Sequence, residues 1–158
     1  MKKRLRIFAA AAAVLMLLTA CGAKEEPAET TTEPLTDGVS VVYYHGDESA
    51  SYLVEETTLL PKLTAQALLD LLSEQKIIPE GTRVRNFQLS QGTITLDLSR
   101  EFEEGIQGLG TSGEYMMLGS LVNTFLRTYE ASGLELTTEG RDLQTGHNVY
   151  DEVLKFFE

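Results

Sequence analysis

From residue 39 onward, apolar residues recur first at the spacing of strands and then at the spacing of helices. VSVVYY, residues 39–44, is β-branched and aromatic, the composition of a strand. His45-Gly46-Asp47-Glu48-Ser49 has the chemistry of a turn, and SYLVEETTLL, residues 51–60, reads as a second strand broken by Pro61. The two are placed to form a hairpin. The period changes over 63–72, where Ala67, Leu68, Leu71 and Leu72 recur at helical spacing behind Thr64, a candidate N-cap. Pro79-Glu80-Gly81 punctuates the chain. VRNFQLS and TITLDLS then flank Ser90-Gln91-Gly92. In the second of these, Ile94, Leu96 and Leu98 share one face, and Thr93, Thr95, Asp97 and Ser99 the other. That period of two predicts a sheet with one buried face. Glu101-Phe102 is read as a brief continuation of the strand.

Residues 105–113, GIQGLGTSG, read as a glycine-rich connecting loop. GEYMMLGSLVNTFLRTYEAS predicts the longest helix, with a stripe of Leu118, Val122, Phe125 and Tyr129 flanked by Met117, Leu121 and Leu126. Such a stripe is the packing face of a core helix, and Ser132-Gly133 is placed to close it. LELTTEG is a short strand, 140–146 a loop, and VYDEVLKFF a last amphipathic segment, taken as a terminal helix. The order β-β-α-β-β-α-β-(α) predicts an α+β, two-layer domain spanning 39–158. Its sheet is expected to be mixed or antiparallel, with helices packed on one face.

A different device precedes the domain. MKKRLR is basic, and IFAAAAAVLMLL is apolar but short for a membrane span. Leu18-Thr19-Ala20-Cys21 follows and resembles the bacterial lipobox. In that class the signal (here 1–20) is removed and the cysteine thiol receives a diacylglycerol. Cys21 is therefore expected to be the lipid attachment site, and the membrane a partner at the extracytoplasmic face. Two or more acyl chains anchor stably where one is marginal, since each buried methylene contributes about 0.8 kcal/mol. The alternative is an uncleaved anchor helix with an incidental cysteine. Residues 21–38 are polar, acidic and dotted by Pro27 and Pro34, the composition of a disordered tether.

Charge sharpens this division. The chain of 158 residues carries a net −11, yet four of its thirteen basic residues lie in the first six positions. The acidic remainder repels phosphate backbones, so no nucleic-acid partner is expected. A single cysteine excludes an internal disulfide.

The sequence carries few signs of catalytic chemistry. His45 and His147 are the only histidines, and neither accompanies a Gly-x-Ser-x-Gly elbow. His45, Asp47 and Glu48 do not match a metal loop. The pairs Glu55-Glu56 and Glu103-Glu104 read as surface charge. The glycine-rich stretch lacks GxxxxGK[ST] and is flanked by Glu103, Glu104 and Glu114, which opposes phosphate. Asp97, mid-strand on the polar face, is the one candidate binding residue. Its competing role is a hydrogen bonder that fixes a turn. No catalytic residue, metal or cofactor is expected.

The chain resembles the GerMN domain of sporulation and spore-germination lipoproteins. The likeness rests on Val41-Val42-Tyr43-Tyr44, on Ala67-Leu68-Leu69-Asp70-Leu71-Leu72, on Ile78-Pro79-Glu80-Gly81-Thr82, and most specifically on 92–99 followed by Glu101-Phe102. Val122-Asn123-Thr124-Phe125 and 134–140 continue it. Ser73-Glu74-Gln75-Lys76 stands where the family has Gly-Pro, and the chain has one copy where the family's namesake has two. The resemblance implies no catalytic residues. It implies a fold similar to ring-building modules, and so an envelope protein partner, with self-association as a further expectation. The function expected is that of a lipid-anchored, non-enzymatic assembly protein in a sporulation or germination setting. The alternative is an envelope enzyme, or a lipoprotein binding a small ligand or cell-wall material, with its site near 105–113.

Overall fold

A computed structural model describes residues 38–158. Leu18, Thr19, Ala20 and Cys21, with the leader and nearly all of the tether, lie outside the described residues.

Strands β1 (Val39–Gly46) and β2 (Leu53–Leu60) form an antiparallel hairpin in register from Val39↔Leu60 to Gly46↔Leu53. Asp47 holds its loop: the carboxylate accepts from the backbone N–H of Ser51 at 2.6 Å and of Tyr52 at 2.8 Å. Helix α1 (Ala65–Glu74) starts where the sequence places it, with Thr64 Oγ1 accepting from the Ala67 N–H at 3.0 Å. Beyond its cap at Gln75 the chain turns at Lys76, whose φ of 59° lets the Ile77 N–H return to the Leu72 carbonyl at 2.8 Å.

Strands β3 (Val84–Ser90) and β4 (Thr93–Leu98) meet in a two-residue turn, with Gln91 and Gly92 at φ 50° and 77° as a tight hairpin of the right twist requires. Ile94, Leu96 and Leu98 are fully buried, on the face expected. β5 (Gly133–Thr138) lies parallel to β4 in register from Thr93↔Gly133 to Leu98↔Thr138. β6 (Arg141–Gln144) and β7 (Val149–Tyr150) complete a mixed sheet of order β3-β4-β5-β6-β7. The described residues are α+β as expected, with two sheets rather than one.

Five local expectations are corrected. Glu101-Phe102 does not extend β4 but lies in helix α2 (Arg100–Gln107). Phe102 and Ile106, one turn apart, are both fully buried in the core, and Glu101 and Glu103 sit in the first turn where the helix dipole favours acids. The glycine-rich loop accordingly shrinks to 108–110 before α3 (Thr111–Thr128). Ser132-Gly133 does not close α3: Glu130, at φ 51°, turns the chain, the Ala131 N–H bonds the Leu126 carbonyl at 3.0 Å, and Gly133 opens β5. Residues 141–144 are strand, not loop. The terminal helix is also absent: 151–158 runs extended, and Leu134 and Leu154 exchange backbone hydrogen bonds of 2.9 and 2.8 Å. Pairing with a free sheet edge satisfies that backbone without a helix.

Gly105 belongs to α2 for a packing reason. A Cβ there would lie 2.0 Å from Cγ and 2.9 Å from Cβ of Pro79, a rigid ring that cannot step aside. In an open helix, Gly→Ala stabilises by about 1 kcal/mol. Here Gly105→Ala is expected to destabilise by about 1–3 kcal/mol through overpacking, read as a lower urea midpoint. An unchanged or raised midpoint would show that Pro79 moves freely.

One buried cluster joins Val41, Tyr43 and Leu60 of the hairpin to α1, α2, α3 and the inner face of β4 and β5. Among the described residues no helix is long and apolar enough to cross a membrane.

Candidate functional site

The hairpin and two helices enclose a groove of about 450 Å³. Tyr43, His45 and Glu56 of β1 and β2 form one wall, and Lys76 and Ile77, just past the end of α1, form another. Leu109, Gly113, Met116, Met117 and Ser120 supply much of the remainder. Antiparallel register sets the polar wall, because Tyr43 pairs directly with Glu56 across the hairpin. The Tyr43 hydroxyl donates to Glu56 Oε2. That bond holds the Glu56 carboxyl below its ordinary range, against some desolvation and with a smaller contribution from His45. The same bond, then burial, pushes Tyr43 up to about 12. Tyr44 and Glu55 repeat the arrangement one residue along, with Tyr44 Oη donating to Glu55 Oε2 at 3.0 Å. The two adjacent acids therefore face opposite ways, as strand geometry demands, but each is held by a tyrosine rather than simply solvated.

His45 Nδ1 lies 2.8 Å from the Gly46 carbonyl oxygen. Its Nε2 stands 3.4 Å from Glu56 Oε1 without hydrogen-bond alignment. Ser120 Oγ is buried and also makes no hydrogen bond among the described residues, so it is not paired with His45 as a nucleophile with its base. His147 lies elsewhere, in the β6–β7 turn, where its N–H donates to Thr145 Oγ1 at 3.2 Å. Among the described residues no cluster of three or more His, Cys, Asp or Glu is placed to hold a metal.

Asp97 is remote from the groove. It sits on the polar face of β4, where Oδ1 accepts from Thr137 Oγ1 at 2.9 Å and from the Gly140 N–H at 2.8 Å. Arg85 Nε is 3.7 Å from its Oδ2, and Arg85 Nη1 is 2.6 Å from Glu139. These bonds fix the β5–β6 turn from the neighbouring strand. The stretch 105–113 reaches the groove only through Leu109 and Gly113.

A second polar cluster gives no sign in any motif. Glu114, in the first turn of α3, is 2% exposed. Its Oε1 accepts from Tyr150 Oη at 2.6 Å, Thr145 Oγ1 at 2.9 Å and Asn148 Nδ2 at 3.1 Å. Burial raises its pKa, but the three donors and the nearby His147 outweigh burial and hold it below the ordinary value. Asn123, fully buried in α3, clamps the tail: its side chain donates to the Phe157 carbonyl at 2.9 Å and accepts from the Phe157 N–H at 2.8 Å. The one available signal was Asn123-Thr124 interrupting an apolar stripe.

A family model described as Germane, sporulation and spore germination, matches residues 40–144. The chain belongs to this family. Two solved structures share the Germane fold. The tandem GerMN domains of the sporulation protein GerM from Bacillus subtilis are 24% identical with a TM-score of 0.60, over 74% of this chain and 46% of that one. The first GerMN domain of the same protein is 23% identical with a TM-score of 0.56, over 75% of this chain and 96% of that one. The chain thus spans less than half of the tandem-domain structure. No curated protein matches. The tail and the Thr145–Asn148 turn that Glu114 holds fall beyond the Germane match.

Proposed function

We propose that this Germane chain is a lipid-anchored, non-enzymatic protein of the extracytoplasmic membrane face that assembles with envelope proteins during sporulation or germination. The family description and the description of GerM as a sporulation protein support the setting. The sequence Leu18-Thr19-Ala20-Cys21 supports the anchor. The observation that carries the assembly reading is the outer edge of β2. Among the described residues, β2 pairs only with β1. The other side of β1 abuts α3, where the Tyr44 N–H is satisfied by Thr124 Oγ1 at 3.0 Å. The β2 edge is therefore the open one, and Val54 and Leu59 on β2 are exposed. An open strand edge with apolar neighbours is a template for pairing with another chain.

The test is labelling with radioactive palmitate, followed by affinity capture from solubilised membranes, with Cys21→Ala as control. The full chain is expected to take up label and recover a defined envelope protein, and Cys21→Ala to lose the label and the enrichment. Equal label in Cys21→Ala would overturn the anchor, and absence of any specific protein with the full chain would overturn assembly. The groove favours a second reading, a ligand-binding lipoprotein, because it gathers polar side chains over an apolar floor.

A further inference from the structure

We infer that the groove is a binding site for a primary ammonium group on a flexible apolar stem, such as a lysine side chain. This deepens the ligand-binding reading and does not depend on the assembly reading.

The inference starts from His45 and Glu56. A carbonyl oxygen only accepts, so the Nδ1 that meets the Gly46 oxygen at 2.8 Å carries a proton. His45 Nε2 stands 3.4 Å from Glu56 Oε1 and makes no hydrogen bond among the described residues. The other Glu56 oxygen already receives the Tyr43 hydroxyl, which keeps the carboxylate oriented toward the groove. Tyr43 occupies Oε2 and leaves Glu56 Oε1 as a charged acceptor lining the groove, which favours a donor with positive charge.

The remaining lining selects among cations. Ser120 Oγ, 1% exposed and without a partner among the described residues, adds a second acceptor on α3. An ammonium has three N–H donors and no acceptor, whereas a guanidinium needs a planar fork of acceptors. Met116, Met117, Ile77 and Leu109 offer soft apolar surface for a methylene stem. The Tyr43 ring adds a face attractive to cations. Lys76 is the opposing charge. It is exposed at the groove rim, free to turn into solvent, and it supplies a test of sign.

The experiment is an amide-resolved NMR titration of the full chain in mild detergent. The probes are Nα-acetyl-lysine methylamide, n-pentylamine, and the uncharged Nα-acetyl-norleucine methylamide. Saturable shifts are expected at Gly46, Gly113 and Met117 with both ammonium probes, with the norleucine probe about tenfold weaker. Glu56→Gln, which keeps an acceptor for Tyr43, is expected to weaken the lysine probe about tenfold. Lys76→Gln is expected to tighten it about twofold by removing a rim charge. Equal affinity for the norleucine probe, no effect of Glu56→Gln, weaker binding in Lys76→Gln, or no saturation with either ammonium probe would each overturn the inference. A lysine probe that binds more tightly than n-pentylamine identifies a protein lysine as the source, and equal binding identifies free amines. Both support the site. Failed capture of an envelope protein would sink assembly and leave this result standing.

Discussion

Replacing Glu114 by Ala is expected to cost about 2–4 kcal/mol and to release the segment 145–158 from the body of the domain. The cost comes from the donors left behind. Tyr150 Oη and Asn148 Nδ2 lose a buried charged acceptor, and Thr145 Oγ1 loses one of its two acceptors. An unmade hydrogen bond at a buried group costs about 1–3 kcal/mol, and removing the desolvation cost of the carboxylate offsets part of that sum. The released segment also carries the Leu134–Leu154 pairing and the Asn123 clamp on Phe157. Hydrogen exchange at Leu134 and Leu154 should therefore rise before exchange in β4 does.

The same cluster sets a pH window. The folded Glu114 pKa lies below its ordinary 4.5. Its contribution is therefore complete above about pH 4.5 and fades as pH falls through the folded value. Tyr150 runs the other way, raised from 10.0 to about 12 by burial and then by Glu114. Its contribution is complete below about pH 10 and is lost as pH rises through about 12. Urea unfolding of the native chain and Glu114→Gln across pH should give a gap that is flat between about pH 5 and 10 and narrows on the acid side. A gap independent of pH down to 3 would show that the carboxylate's charge contributes nothing.

Helices α1 and α3 and strands β3 and β4 were legible because their apolar residues repeat over several turns or pleats, and Thr64 marks its own helix start. Helix α2 was hidden because glycine density outweighed the one-turn spacing of Phe102 and Ile106. Gly105 is there to admit Pro79, a contact that no local pattern records. Strand β6 carries one buried apolar residue, Leu143, too few to show a period. The tail misled for the opposite reason. Val149, Val153 and Phe157 have helical spacing, but the partners that hold the segment, Leu134 and Asn123, lie far away in the sequence. The groove was legible in part: the hairpin register pairs Tyr43 with Glu56, whereas its helix wall depends on tertiary packing. Asp97 drew attention as a mid-strand acid, and its partners Thr137 and Gly140 come from the neighbouring hairpin.

Phe125→Ala is expected to be the most damaging single change, at about 3–5 kcal/mol. Phe125 is fully buried at the centre of the α3 stripe. Its ring lies 6.3 Å from that of Phe87 on β3 and 6.1 Å from that of Tyr129, and Phe87 and Tyr129 are 4.7 Å apart. β3 is an edge strand that pairs only with β4 among the described residues, and most of its residues are exposed. Phe87 and Val84 are its only apolar residues packed against the core. The aromatic trio is therefore the main tie between β3 and the helix layer. Losing Phe125 should lower the urea midpoint and raise exchange in β3 more than in β4, which is also paired to β5. Phe125→Leu, which keeps more of the volume, should cost less than half as much. Against a total stability of about 5–15 kcal/mol, the alanine variant stands at the margin of folding. A loss of less than about 2 kcal/mol would mean that Leu118, Leu121 and Val122 carry α3 without it.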